Sequence, residues 1–456
     1  MKDFGKLVSM KRSLWIGLAS LLIFNGILVE SALIEADRSC EVDEATVCYD
    51  QNLSSYYIEP NASITVEVPT VEFGDALIQL WNTHHPDHLN ALKVSLNDPN
   101  ADLRYVSVRQ AAYTYDQLRP IEQTETFDYR VDLATELNTS QTRFIPMSAE
   151  GFAFLSNLTA LADAQLALED SNQDGLIDSV DTFEKIQSTF SDKAMEKPTL
   201  IFSLAEPYAF YPFLTAAGWR LFEENDAQFP GFEKSSFLES LRWIQSLNQM
   251  NWNANEDNQA SSYAWDYAEA LQEGNFVFNI VGSWMFVKEK EAKLQANWAL
   301  SVFPKKDDGS PNLSAFLTQV KGYVINVNSL YPSASHEVLR LVRSIEGLQA
   351  FVDTTTEIPL ANTDRLAQLS FTDETKGEFA QAFMHSRSEP VIAFSQKNTL
   401  SAFNLYYELP LMPLLQRLWN GELSPEETQI QVAMASDAWL FSHLTQEKEL
   451  TSLESK

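Results

Sequence analysis

Basic residues are scarce in this chain of 456 residues: 32 lysines and arginines stand against 63 acids, a formal net charge of −31. A surface this acidic repels phosphate backbones and anionic headgroups, which argues against nucleic-acid binding and peripheral membrane docking. Histidine is sparse too, with six copies, and no catalytic-metal motif is read among them. No nucleophile motif and no phosphate loop occurs. With 15 glycines, 18 prolines, no internal repeat and no long low-complexity tract, the chain is not fibrous or linker-like. Two cysteines are too few for a disulfide framework.

Apolar material is plentiful: 45% of residues are hydrophobic and 12% aromatic. That supports large cores, and the length suits two lobes better than one. Near the start, Lys11 and Arg12 precede an apolar run from Leu14 to Val29, followed by the small residues Ser31 and Ala32. This reads as a secretory signal over residues 1–31 and places the mature protein in the periplasm. The run is shorter than the roughly twenty residues a spanning helix prefers, and an uncleaved anchor is the alternative. Cys40 and Cys48 follow closely. An oxidising compartment makes a disulfide between them the simplest reading; a lipidated Cys40 is the alternative, although Ala36–Ser39 lacks the small apolar residues of a lipidation signal.

Residues 32–60 are polar and acidic and read as an N-terminal extension. Ile64–Val68 alternates as a strand does, residues 73–83 repeat apolar positions at helical spacing, and Leu92–Leu96 alternates again. This β–α–β opening predicts a parallel sheet. Further strands are expected at Leu200–Leu204, Phe276–Ile280 and Gly322–Val327, with helices at Phe237–Leu247, Ala268–Glu273, Ser335–Ile345 and Leu411–Leu418. The fold class is α/β.

One local motif is sharp. In Asp170-Ser-Asn172-Gln-Asp174-Gly175-Leu176-Ile177-Asp178-Ser-Val-Asp181, oxygen-bearing side chains occupy positions 1, 3, 5, 9 and 12, and glycine occupies position 6. One tightly wound loop can offer Ca²⁺ its six to eight oxygens in this way, with Leu176 giving its carbonyl. Position 12 is Asp181, not the bidentate Glu of the usual pattern. The expectation is a structural Ca²⁺ held by Asp170, Asn172, Asp174, Leu176, Asp178 and Asp181; an acidic turn without metal is the alternative.

Three segments together resemble the maltose/maltodextrin-type family of extracellular solute-binding proteins. They are Glu206-Pro207-Tyr208 through Tyr211-Pro212; Ala268–Asn275 running to Gly282-Ser283-Trp284; and Val320–Asn326 continuing through Glu346-Gly347-Leu348 to Ile358-Pro359-Leu360. Pro146…Glu150 and Thr182–Ile186 match more weakly. The resemblance covers roughly residues 62–445 and implies a two-lobed periplasmic-binding-protein fold, type II-like, each lobe a mixed sheet flanked by helices. It places one lobe at 60–150 and 322–372, the other at 151–321 and 373–447, and a tail at 448–456. It implies a non-enzymatic monomer that takes an oligosaccharide and delivers it to the permease subunits of an ABC importer. Two departures stand out: Arg109-Gln110 replaces the family's Asp-Arg pair, and Gln416 stands where a stacking Trp is usual.

Sugars present apolar C–H faces and hydroxyl rims, which rings and carboxylates suit. The ligand-binding candidates are accordingly Glu150, Glu206, Tyr208, Tyr211, Trp284 and Tyr406. Each has a plainer reading as core, cap or solvated acid. A cationic ligand such as a polyamine, held by the same acids and rings, and a calcium-stabilised scaffold are the rival functions.

Overall fold

The computed structural model describes residues 47–122, 141–171, 176–190, 199–201, 207–222, 229–247, 274, 276–284, 297–306, 311–385, 387–390 and 402–454. Two long strands, Ile145–Asn157 and Ala315–Asn326, form its spine. They pair antiparallel, Thr318 with Gly151, Gln319 with Glu150, Val320 with Ala149 and Lys321 with Ser148, before the register slips between Lys321 and Gly322. Gly322 is obligatory at this bulge, because a Cβ there would lie 2.1 Å from the Ile145 carbonyl oxygen.

The remaining strands extend this pair on both sides. In order they run Leu92–Ser95, Ile64–Glu67, Leu103–Ser107, the second long strand, the first long strand, Phe278–Gly282 and Leu200–Ile201. The first two are parallel and are joined by helix Val71–His84, which is the β–α–β unit that the alternation predicts. Thr70 caps that helix by accepting a hydrogen bond from the Phe73 N–H at 3.1 Å, and its apolar stripe buries Phe73, Leu77 and Trp81. Helix Ser235–Ser246 buries Phe237, Leu241 and Ile244, again at helical spacing.

Two hydrophobic cores result. One gathers Val66, Phe73, Trp81, Leu103, Val324 and Phe351; the other gathers Phe154, Phe183, Phe213, Trp219, Trp243 and Phe303. Both long strands pass from one to the other. Ala149 and Val320 belong to the first core, Phe152 and Leu317 to the second. The fold is therefore mixed α/β, with one curled sheet shared by two cores.

The structure departs from the sequence expectations in three places. The first long strand is not signalled by alternation, since nearly all its residues are buried on both faces. Helix Glu374–His385, expected in the second lobe, sends Phe379 and Phe383 into the first core, because the strand face carrying Ala153, Leu155 and Leu300 needs an apolar cover. The expected extension is also partly structural. Residues 47–59 form a short hairpin, Tyr49–Asp50 with Ser55–Tyr56, that straps helix Pro332–Arg343 to the first core. Cys48 there is disulfide-bonded; Cys40 and the signal segment lie outside the described residues.

The strap works through buried polar groups. Both Glu59 carboxylate oxygens accept from the start of the helix, from Ser333 N at 2.9 Å and Ala334 N at 3.0 Å. An acid at a helix N-terminus satisfies orphan donors and complements the dipole. The wholly buried Glu337 side chain accepts from Tyr56 N at 2.9 Å, Arg340 at 2.6 Å and His85 at 2.7 Å. Next to it, His336 sets Nδ1 at 2.6 Å from the Pro332 carbonyl oxygen and Nε2 as acceptor of the Glu122 N–H at 3.0 Å. Only the neutral ring satisfies both, and burial lowers the His336 pKa to about 4.

Because the folded pKa lies below the unfolded value of 6.5, the unfolded chain takes up this proton first. The stability is complete above that value and is lost as pH falls through it towards the folded pKa. Urea unfolding should show this group removing about 2 kcal/mol between pH 7 and pH 5. In His336→Gln, whose amide cannot titrate, that slope should flatten; an unchanged slope contradicts the assignment.

Candidate functional site

The crossing point between the cores is where chemistry collects. Residues directly opposite in an antiparallel ladder share a face, and so do alternate residues along a strand. Gln319 and Lys321 therefore lie on one face with Glu150 and Ser148. The neighbouring strand adds Ser107, opposite Lys321, and Tyr105, opposite Tyr323. Ile358–Pro359 pairs with the first long strand at Ala149 and Ser148, which brings Glu357 alongside. The result is a polar floor laid across the first half of the crossover.

Its centre is Lys321. The ammonium lies 3.0 Å from Glu357 Oε1 and 3.3 Å from Glu150 Oε1. Burial disfavours the charged lysine, but Glu357 and Glu150 more than offset it, so its pKa is raised above the ordinary value. On the other side of Glu357, the Tyr105 and Ser148 hydroxyls, 2.6 Å apart, converge on Oε2. Burial and the Glu357 charge push the Tyr105 pKa well above its usual value, so this phenol stays a donor. Accessibility falls with depth: the side chain of Glu150 is 37% exposed, Lys321 29% and Glu357 15%. Gln319 is exposed.

An aromatic group adjoins this floor from the second half. Phe152 shares the face of Glu150 and pairs with Gly282. The Gly151 N–H donates to Ser283 Oγ at 3.4 Å. Trp284 then folds back over Gly282 and meets the Phe152 ring edge-on, with centroids 5.0 Å apart. A Cβ on Gly282 would sit 2.5 Å from the indole, which explains why glycine precedes the tryptophan by two. Trp284 is partly buried and packs against the second core.

Glu150 thus shares a strand face with Phe152, whose ring Trp284 meets. Tyr211 and Tyr406 require correction: they are 1% and 0% exposed and belong to the second core. Tyr211 packs against Trp219 and Tyr406, and the Tyr406 hydroxyl donates to the Pro207 carbonyl oxygen at 2.8 Å. Neither ring has a face left for a ligand; Tyr211 belongs to helix Pro207–Thr215, and Tyr406 packs against it. Glu206 and the side chain of Tyr208 lie outside the described residues. Arg109 is partly exposed two residues beyond Ser107, its guanidinium 5.7 Å from the Tyr113 ring centroid. Gln110 serves as half of a capping box with Ser107.

In the acidic loop, Asn172 and Asp174 lie outside the described residues. Leu176 is buried and anchors the turn, and Asp178 accepts from the Ser171 N–H at 3.1 Å. Hydrogen bonds from the Ser171 side chain and N–H hold Asp178 below the ordinary carboxylate value. Asp181 faces two ammonium groups, Lys185 at 2.6 Å and Lys305 at 3.7 Å. To serve a metal it would have to exchange these partners. Asp170 is among the described residues at the loop's start.

A mixed α/β fold with two cores threaded by one pair of strands is consistent with a solute-binding protein. Residues 83–377, well over half of the chain, match the bacterial extracellular solute-binding protein family, and the chain belongs to that family. No curated protein matches it. Membership implies an extracytoplasmic protein that binds a small-molecule solute for an ABC transporter; the family is generally non-enzymatic. Among the described residues no helix is long and apolar enough to cross a membrane.

Lys321, Glu357, Tyr105, Ser148 and Gln319 belong to the candidate floor, and reasoning from sequence does not single them out as such. The one available signal was that Lys321 lies within, and Glu357 borders, segments resembling the family's crossovers. The tight Gly282–Trp284 contact carries a direct prediction. Gly282→Ala should drive the indole off Phe152, changing the Trp284 fluorescence contribution measured against Trp284→Phe. An unaltered contribution contradicts the contact.

Proposed function

We propose that this protein captures an oligosaccharide of the maltodextrin type at the floor between its two cores and, as a monomer, presents it to an ABC importer. The observation carrying this reading is the placement of Trp284 and Glu150 on one face of the crossover. The indole offers a platform for apolar sugar faces, while Glu150 and Gln319 accept from ligand hydroxyls. Glu206 and Tyr208, matched by the sequence resemblance, would add further contacts. A ligand that touches both halves favours the arrangement in which they approach, which supplies the signal a transporter reads. Binding without bond cleavage is part of the same reading, in keeping with a family that is generally non-enzymatic.

A thermal-shift screen of the mature protein against maltose, maltotriose and longer oligomers tests this. A bound sugar at a hundredfold excess over its Kd adds about 2.7 kcal/mol. Trp284→Ala should weaken that sugar at least about tenfold, as loss of a central aromatic anchor does, and mass spectrometry should recover the sugar intact. Silence across the series, or a shift that ignores Trp284, removes the reading.

The loop spacing supports a structural Ca²⁺ at Asp170–Asp181 as part of the same proposal. Added calcium should raise the unfolding midpoint of the wild type but not of Asp170→Asn/Asp178→Asn. Equal midpoints with and without calcium would mean that the Lys185 and Lys305 pairs to Asp181 hold the turn unaided.

A further inference from the structure

The floor contains two carboxylates and one ammonium, so one negative charge is left over. The use of each atom is unequal. Glu357 is satisfied from within: Lys321 reaches Oε1, while Tyr105 and Ser148 reach Oε2. Glu150 is engaged only through Oε1, by Lys321 at the longer distance of 3.3 Å. Among the described residues no protein donor reaches Glu150 Oε2, on the more exposed of the two acids. Lys321 therefore stands where the amine of a cationic solute would otherwise stand, between two carboxylates beside an aromatic platform.

We propose that Lys321 sets the charge class of the solute: its tethered ammonium fills the cation position between Glu150 and Glu357, so the floor admits neutral hydroxyl donors and turns away amines. The inference rests on the reading of this floor as the solute site. A free amine must displace an ammonium that is covalently held at its partners, and so competes against a very high effective concentration. A hydroxyl needs only the open acceptor on Glu150, already half neutralised. An anionic solute meets the leftover negative charge and is disfavoured as well. Removing the lysine side chain vacates a space shaped for an alkylammonium group and leaves two partly desolvated carboxylates without a counter-charge, which a solute amine can then satisfy.

Calorimetric titration with maltotriose and with spermidine tests this on the wild type, Lys321→Ala, Lys321→Arg and Lys321→Ala/Glu150→Gln. Lys321→Ala should bind spermidine at least about tenfold more tightly than the wild type, and Lys321→Arg, which keeps the charge in place, should not. Adding Glu150→Gln should abolish most of the gain. Lys321→Met carries the same expectation with a smaller gain if Lys321→Ala loses its cooperative unfolding. Wild type and both lysine-removed variants binding spermidine alike would overturn the proposal. If maltotriose binds the wild type through Trp284 while the variants gain no amine, only this inference fails. If no wild-type binding depends on Trp284, the reading of the site fails with it.

Discussion

The ladder between Ile145–Asn157 and Ala315–Asn326 fixes which side chains from distant parts of the chain can meet. Each strand is long enough to enter both hydrophobic cores, so the backbone hydrogen bonds of one pair serve two packing units. A shift of one residue would turn Glu150 and Lys321 to the opposite face and bring Ala149 and Val320 out of the first core. Register and site are one constraint here. The bulge at Lys321/Gly322, which only glycine tolerates, is where that constraint is set.

From this pairing follows the electrostatic character of the floor. Lys321 is drawn in by two acids, and the deeper acid is held by two hydroxyls, so the charged groups are ordered before any solute arrives. Preorganised acceptors lose little freedom on binding, which is how a small contact area can hold a small ligand. Trp284 is placed by a different device, a glycine that lets the indole fold against Phe152. The strap of residues 47–59 is held by Glu59 together with Glu337 and His336 of helix Pro332–Arg343, which tie it to the first core.

Much of the frame is legible in the sequence. Ile64–Glu67, helix Val71–His84 and Leu92–Ser95 follow from period and capping, and helix Leu411–Trp419 follows from its apolar stripe. The first long strand is not legible, because a run buried on both faces has no alternation to read. Glu150 and Trp284 could be picked out through their motifs. Lys321, Glu357 and Tyr105 could not, since their meeting depends on a register joining segments as many as 252 residues apart. Tyr211 and Tyr406 mislead for the converse reason: a ring near a proline looks the same in sequence whether it lines a cleft or fills a core, and these two fill the core.

The central claim is that solute is held where the two long strands cross. Hydrogen–deuterium exchange of the mature protein with a saturating maltodextrin measures this most directly. The account predicts protection gathered at residues 148–152, 282–284, 319–321 and 357, from both sides of the crossing. Protection confined to one core away from these residues, or none at saturation, would contradict it.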